Sequence, residues 1–362
     1  MKRIILFLLA VAMLAVAAGC SGDVVVLNKC EDCTAATQPA QPDDTQPQVT
    51  EPVAVGSVKT GLAVMTNVSD SASAEGAEPG AASFDVTVAA VTVDENGVIL
   101  SARIDSVPAT VVFLDDGSLN SDLTAPVQTK NEQGENYGMV AWGGAIAEWD
   151  AQVAALCDFA VGKTVEELKN GAIDETGKAP QGSDLASSAT IYLGGFVSCL
   201  ENAVNNAQSL GAQGGDALKL AINASIASSS PATEEQAGYG QLDVSIAVLT
   251  ENEGVITSCI IDEVQAKVAF DVTGVLVTDL TAPIQTKNEL GENYGMVAWG
   301  NAIAEWNEQA AAFASYITGK TLDEVMGISV TESNKPSDGT DLAASVTISI
   351  GGFQALIEKA MA

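Results

Sequence analysis

The sequence contains no histidine, and its 15 lysines and arginines face 47 aspartates and glutamates, a formal charge of −32 over 362 residues. Each shortage closes a class of chemistry. Without imidazole there is no Ser-His-Asp or Cys-His nucleophile, no His-ligated zinc and no haem attached through C-x-x-C-H. So acidic a chain has no basic footprint for counterion release, which excludes nucleic acid as a partner; anionic partners are disfavoured and cationic ones are not. The 6 cysteines are thinly spread and never reach iron–sulfur spacing. Cys157, Cys199 and Cys259 stand singly and read as small buried hydrophobes. Any redox role must therefore use a cofactor held by other means. Apolar residues still make up 47%, which fits a folded protein and not a disordered acidic chain.

The chain opens with Lys2 and Arg3, then an uncharged apolar run from Ile4 to Ala18 and the pair Gly19-Cys20. This reads as a signal peptide over residues 1–19. The string A-A-G-C resembles a bacterial lipobox, which makes Cys20 the lipid-modified first residue of the mature protein, although Ala17 stands where leucine is usual. An uncleaved membrane helix is the alternative. Residues 20–57 are rich in Pro, Gln and Thr, with Pro39, Pro42, Pro47 and Pro52, and read as a lipid-anchored tether. A flexible chain of that length reaches about 30–35 Å, enough to stand off a membrane. Cys30 and Cys33 form a C-x-x-C there, open to a redox, metal-binding or disulfide role but without the strand–helix context of a thioredoxin-like site.

The body is a duplication. Thr124–Trp149 and Thr281–Trp306 are identical at 23 of 26 positions at an offset of 157, and the same offset maps Gly162-Lys163-Thr164 onto Gly319-Lys320-Thr321. Phe84–Ile99 aligns with Leu242–Ile256 after one deletion. Two copies follow, residues 58–210 and 211–362, each long enough for a core of its own and far longer than a solenoid unit.

Within each copy, alternating apolar residues from Phe84 to Val93, a turn at Asn96-Gly97 and resumed alternation to Val107 predict a hairpin, with a third strand at Val111–Leu114. From Tyr137 the period lengthens, and Trp142, Ile146, Trp149, Val153, Leu156 and Ala160 fall on one face of a single predicted helix, matched by Trp299 to Ile317. Gly162 and Gly319 end these helices, and Thr164 and Thr321 look like N-caps of a short following helix. A loop leads to Asp184, a short β-branched segment and a final helix around Phe196–Ala207 or Phe353–Met361. The predicted class is α+β, two tandem homologous domains, each an antiparallel sheet packed against helices.

One segment suggests chemistry. Asp184-Leu-Ala-Ser-Ser-Ala-Thr190 resembles the D-x-x-[S/T]-G-A-[T/S] acceptor sequence of exported flavoproteins, in which an FMN transferase joins the flavin phosphate to the last hydroxyl. Ser188 replaces the usual glycine. In the second copy Asp341-Leu-Ala-Ala-Ser-Val-Thr347 keeps the outer Asp and Thr, with Ala344 and Val346 departing. A turn entering a buried strand would also account for the segment. Together with N-Y-G-M (Asn136–Met139, Asn293–Met296), the tryptophan-bearing helix and G-K-T, most of residues 58–362 resembles the paired flavin-binding domains of surface lipoproteins in Gram-positive flavin-based extracellular electron transfer. That resemblance implies FMN bonded to Thr190 and Thr347, a lipid anchor to the outer face of the cell membrane, a membrane quinone-linked electron donor and extracellular acceptors. It implies an electron carrier and not a substrate-converting enzyme.

A flavin ring needs an aromatic or apolar wall, and Tyr137, Met139 and Trp142, with Tyr294, Met296 and Trp299, are positioned in the sequence to supply it. Trp149 and Trp306 read as core. Lys130 and Lys287 are open to two roles, facing the flavin phosphate or its N1–O2 edge, or forming a surface ion pair. Glu132, Glu135 and Glu148, repeated as Glu289, Glu292 and Glu305, lack the asymmetry and sugar platforms of a glycosidase and read as solvated faces. The alternative function is a non-redox lipoprotein whose Trp–Tyr groove holds a small ligand or a cell-wall polymer.

Overall fold

The alternation that begins at Phe84 belongs to a strand longer than the pattern marks out. A computed structural model describes residues 58–362, so the signal segment, Cys20 and the tether with Cys30 and Cys33 lie outside the described residues. Strands β1 (Lys59–Asn67), β2 (Gly80–Val93) and β3 (Ile99–Phe113) form an antiparallel sheet in that order. The break expected between Val107 and Val111 does not occur, and β3 runs through Pro108 opposite Asp85. As the edge strand it can accept a proline, whose missing N–H has no ladder partner to lose. The third strand is instead β1, whose apolar run Gly61–Val64 with a polar end does not alternate. The second copy repeats the sheet with β4 (Ala217–Ser225), β5 (Gly238–Asn252) and β6 (Val255–Phe270).

Each sheet is followed by helices. In the first copy these are α1 (Lys130–Gln133), α2 (Met139–Gly143), α3 (Trp149–Ala160), α4 (Val165–Ala172) and α5 (Gly194–Asn205). In the second they are α6 (Lys287–Leu290), α7 (Met296–Gly300), α8 (Trp306–Ile317), α9 (Leu322–Met326) and α10 (Gly351–Met361). Among the described residues no helix is long and apolar enough to cross a membrane. Thr164 and Thr321 cap α4 and α9 through full capping boxes with Glu167 and Glu324, as their spacing suggests. The segment after Asp184 forms no strand, only a 3₁₀ turn (Leu185–Ser187) and irregular chain leading into α5.

The single helix expected from Tyr137 to Ala160 is broken in two. Gly144 closes α2 in the left-handed conformation at φ 62°, and Asn301 does the same for α7 at φ 51°. The chain then turns through an exposed loop before Glu148 opens α3. Trp142 and Ile146 therefore leave the apolar stripe, while Trp149, Val153, Leu156 and Ala160 remain on it and are buried.

The α+β class is the observed one, built as four layers. Helices α3 and α5 cover one face of the first sheet, where Trp149, Val153, Leu156 and Leu200 pack with Ala89, Val91 and Ile104. Helices α8 and α10 cover the second sheet in the same way. The remaining faces pack on each other in a core common to both copies, including Val86, Val88, Val111, Leu242, Ile246 and Val268. Phe113 stacks on its repeat equivalent Phe270 with centroids 4.3 Å apart. Around it Ala74 N donates to Gly274 O at 2.8 Å, and at equivalent positions of the other copy Ala232 N donates to Gly117 O at 2.9 Å. These reciprocal contacts are those of an isologous interface. A side chain at Gly240 would place its Cβ 2.4 Å from Ala82 Cβ, so glycine sets how closely the sheets approach.

Candidate functional site

The segment singled out by its acceptor-like pattern divides into buried and outward positions. Leu185 and Ala189 are buried in the helix-side core, and Leu342 and Val346 take the same places in the second copy. An apolar anchor is needed at the position before the threonine, and valine serves as well as alanine. Asp184 and Asp341 point outward, and no described residue bonds their carboxylates. Thr190 is exposed and Thr347 partly exposed. The hydroxyls thus lie at the surface on loops whose backbone is tied to the core.

The tie is a residue the sequence reading missed. Gln152, fully buried on α3, accepts at Oε1 from Thr190 N at 2.8 Å, from the Thr190 hydroxyl at 3.3 Å and from Ile191 N at 3.3 Å. Its Nε2 donates to Ala147 O at 2.8 Å. Gln309 on α8 makes the same set, to Thr347 N at 2.8 Å, the Thr347 hydroxyl at 3.2 Å, Ile348 N at 3.3 Å and Ala304 O at 2.9 Å. Its signal was present in the sequence. Trp149-Asp-Ala-Gln152-Val and Trp306-Asn-Glu-Gln309-Ala differ at each position between and after tryptophan and glutamine, yet the polar glutamine stays on a buried face.

One amide thus separates each threonine from the loop that follows α2 or α7, the element bearing the first tryptophan. Trp142 and Trp299 are 89% and 90% exposed, with Val140 and Ile146, or Val297 and Ile303, exposed nearby. Each indole lies over the glycine of N-Y-G-M. At Gly138, φ 79°, an added Cβ would fall 2.1 Å from Trp142 Cδ1, and at Gly295, φ 81°, 2.4 Å from Trp299 Cδ1. Both the left-handed backbone and the ring require glycine there. Tyr137, Met139, Tyr294 and Met296 are half-buried and pack inward against the helix-side cores. Of the residues expected to form a wall, only the first tryptophans present an open face.

Glu148 and Glu305 are not solvated faces. Glu148 opens α3, and its carboxylate accepts from Met139 N at 2.8 Å and Val140 N at 3.0 Å, holding the start of α2. Buried Glu305 does the same for Met296 and Val297 at 2.8 and 3.0 Å. Orphan amides of a helix start, with their partial positive charge, are the natural partners of a carboxylate. Glu132 and Glu289 complete capping boxes with Thr129 and Thr286, while Glu135 and Glu292 are exposed.

Lys130 and Lys287 are buried cations. Lys130 Nζ lies 2.8 Å from Asp85, 5.2 Å from the Trp149 ring centroid and 5.6 Å from that of Tyr137. Lys287 Nζ lies 2.9 Å from Glu263 and 4.9 Å from the rings of Trp306 and Tyr294. Ion pair and cation–π contacts together stand in for the water these buried ammonium groups lose. Nearby Asp262, whose carboxylate accepts from Glu263 N and Asn288 N, has its carboxyl pushed up to about 6 by burial. Asp105 is raised for the same reason.

The second tryptophans are core: Trp149 meets Phe196 edge-on at 5.6 Å and Trp306 meets Phe353 at 5.8 Å, fastening α5 and α10 to the helices that carry the glutamines. Cys157, Cys199 and Cys259 are free and buried, with burial pushing each thiol up to about 12. A cleft of about 490 Å³ lies between β6 and α8, lined by Cys259, Asn288, Asn307 and Ser315 among others, and a smaller one of about 300 Å³ occupies the matching place beside β3 and α3. Neither includes a threonine of the acceptor-like segment. Among the described residues no cluster of carboxylates and thiols is arranged to hold a metal ion. Comparison with family models, curated proteins and solved structures finds no match to this chain.

Proposed function

We propose that this chain is a lipid-anchored extracellular electron-transfer flavoprotein that carries FMN through a phosphoester on Thr190 and on Thr347. The observation carrying the reading is the twofold occurrence of a surface threonine, fixed through its backbone by a buried glutamine whose other end holds the loop after the short helix that bears a nearly fully exposed tryptophan. The residues fit the group. The hydroxyl belongs to a surface residue, its hydrogen bond among the described residues is the 3.3 Å contact to Gln152, and the indole offers an unpartnered flat face.

When bound, the flavin ring supplies one- and two-electron oxidation and reduction. The chain's own residues attach it and present Trp142 or Trp299 as a wall, while Lys130 and Lys287 stay paired with Asp85 and Glu263 against the buried tryptophans Trp149 and Trp306. Asp184 and Asp341 remain free for recognition by an FMN transferase. The lipid on Cys20, the tether, a membrane quinone-linked donor and extracellular acceptors complete the proposed path. A second reading, a non-redox ligand-binding lipoprotein, draws on the 490 Å³ cleft lined mainly by uncharged side chains.

Intact mass spectrometry with peptide mapping separates them. Protein made with its transferase is expected to carry two flavin phosphate adducts, and Thr190→Ala and Thr347→Ala are each expected to remove one. A native chain without any adduct rules out the flavoprotein reading and leaves the ligand-binding one.

A further inference from the structure

We infer that Gln152 and Gln309 are positioning residues for modification of Thr190 and Thr347, resting on the proposed covalent attachment. Three donors converge on one buried amide oxygen in each copy, and the other end of the amide is spent on a backbone carbonyl of the preceding loop. The two backbone N–H groups alone would occupy both lone pairs of that oxygen. Here the third is the very hydroxyl on which the acceptor-like pattern ends, and the arrangement recurs with distances matching to 0.1 Å.

The direction of the bond gives it a chemical role. With its proton turned toward Oε1 of the glutamine, the threonine oxygen has its lone pairs facing away from the core, where an incoming phosphorus must approach. In the transfer, the threonine oxygen forms a bond to phosphorus as a phosphoanhydride bond of the flavin nucleotide donor breaks. The leaving phosphate takes that electron pair, and the threonine proton passes to a base of the transferase or to solvent. Losing the proton removes one of the two longer contacts and leaves the 2.8 Å bond from the threonine N–H in place. The N–H groups of Thr190 and Ile191, or Thr347 and Ile348, still satisfy the buried oxygen after the ester forms, so the loop keeps its place in both states. The glutamine thereby presents the nucleophile without being consumed or unpaired. Fixing an oxygen in its attack geometry acts on the maximal rate more than on docking of the whole protein.

The test uses the full chain and its transferase, following each site by peptide mass. Gln152→Met keeps the volume but removes the acceptor; it is expected to slow flavin addition at Thr190 by about tenfold or more, mainly in kcat with KM little changed, while Thr347 on the same molecule is modified at the normal rate. Gln309→Met is expected to reverse the pattern. Gln152→Glu, whose neutral carboxyl can accept from Thr190 and donate to Ala147 O, is expected to recover most of the rate at acidic pH. Loss at both sites from either single variant, a pure rise in KM, or full modification of Thr190 in Gln152→Met overturns the positioning role. Absence of flavin from both sites of the unmodified chain instead overturns the attachment on which it rests, which is a different result from any of these.

Discussion

At the scale of single residues, burial of charge is the unusual feature of this acidic chain. Asp262 sits beneath the start of α6, accepting from Asn288 N, with Glu289 nearby raising its carboxyl further. Its value of about 6 in the fold lies above the ordinary 3.8. The protonated form is thus favoured by folding, and the associated stability is fully present below pH 3.8 and lost as pH rises through about 6. That interval corresponds to on the order of 3 kcal/mol. Exposed aspartates that accept hydrogen bonds within turns, such as Asp174 and Asp271, are held below the usual range and act in the opposite sense, losing their contribution as pH falls through 3.8. Replacing Asp262 by asparagine, which cannot ionise, is expected to flatten the decline in the urea midpoint between pH 4 and 6.5. An unchanged pH profile in that variant would show that the carboxyl titrates as if solvated.

At the scale of elements, α2 and α7 depend on a carboxylate that belongs to the next helix. A five-residue helix has too few internal bonds to persist alone, so Glu148→Ala is expected to release it, lowering its local opening free energy by about 1–2 kcal/mol. Hydrogen exchange should then show the Met139 and Val140 amides exchanging roughly tenfold faster, with Leu156 in the core unchanged. Glu148→Gln, which retains an acceptor, should fall between. The same elements show where sequence patterning ends. The duplication, the hairpin, the capping threonines and the burial of Trp149 and Trp306 follow from periodicity and spacing alone. The break between α2 and α3 does not, because the helical period continues by accident across Gly143-Gly144 and carries Trp142 and Ile146 with it. Strand β1 escaped because its apolar residues run together. Within the acceptor-like segment the threonines and aspartates were legible, but Gln152 was not, since a polar residue within an apolar stripe is seen as functional only when its partners are known. The role of Glu148 was hidden for the same reason, its target lying eight to nine residues back along the chain.

At the scale of the whole molecule, the two copies do not fold around separate centres only. Phe113 and Phe270 are fully buried against each other in the core between the sheets. Phe113→Ala is expected to cost about 3–5 kcal/mol, as removal of a packed phenyl ring does. Because that ring belongs to both sheets, the loss should appear as faster exchange in β2 and in β5 together, within a single unfolding transition. Two transitions, with only the first copy weakened, would mean that the halves melt independently.

The reciprocal pairing of Ala74 with Gly274 and of Ala232 with Gly117 has a consequence for descent. One copy alone would leave an entire valine- and leucine-rich sheet surface wet, so a unit of this kind would persist in water only as a symmetric pair. Joined in one chain, the two copies meet independently of concentration, and neither half has to complement itself. Differences such as Arg103 against Ile260, or Tyr192 against Ser349, are changes that a self-pairing precursor would have been forced to make twice.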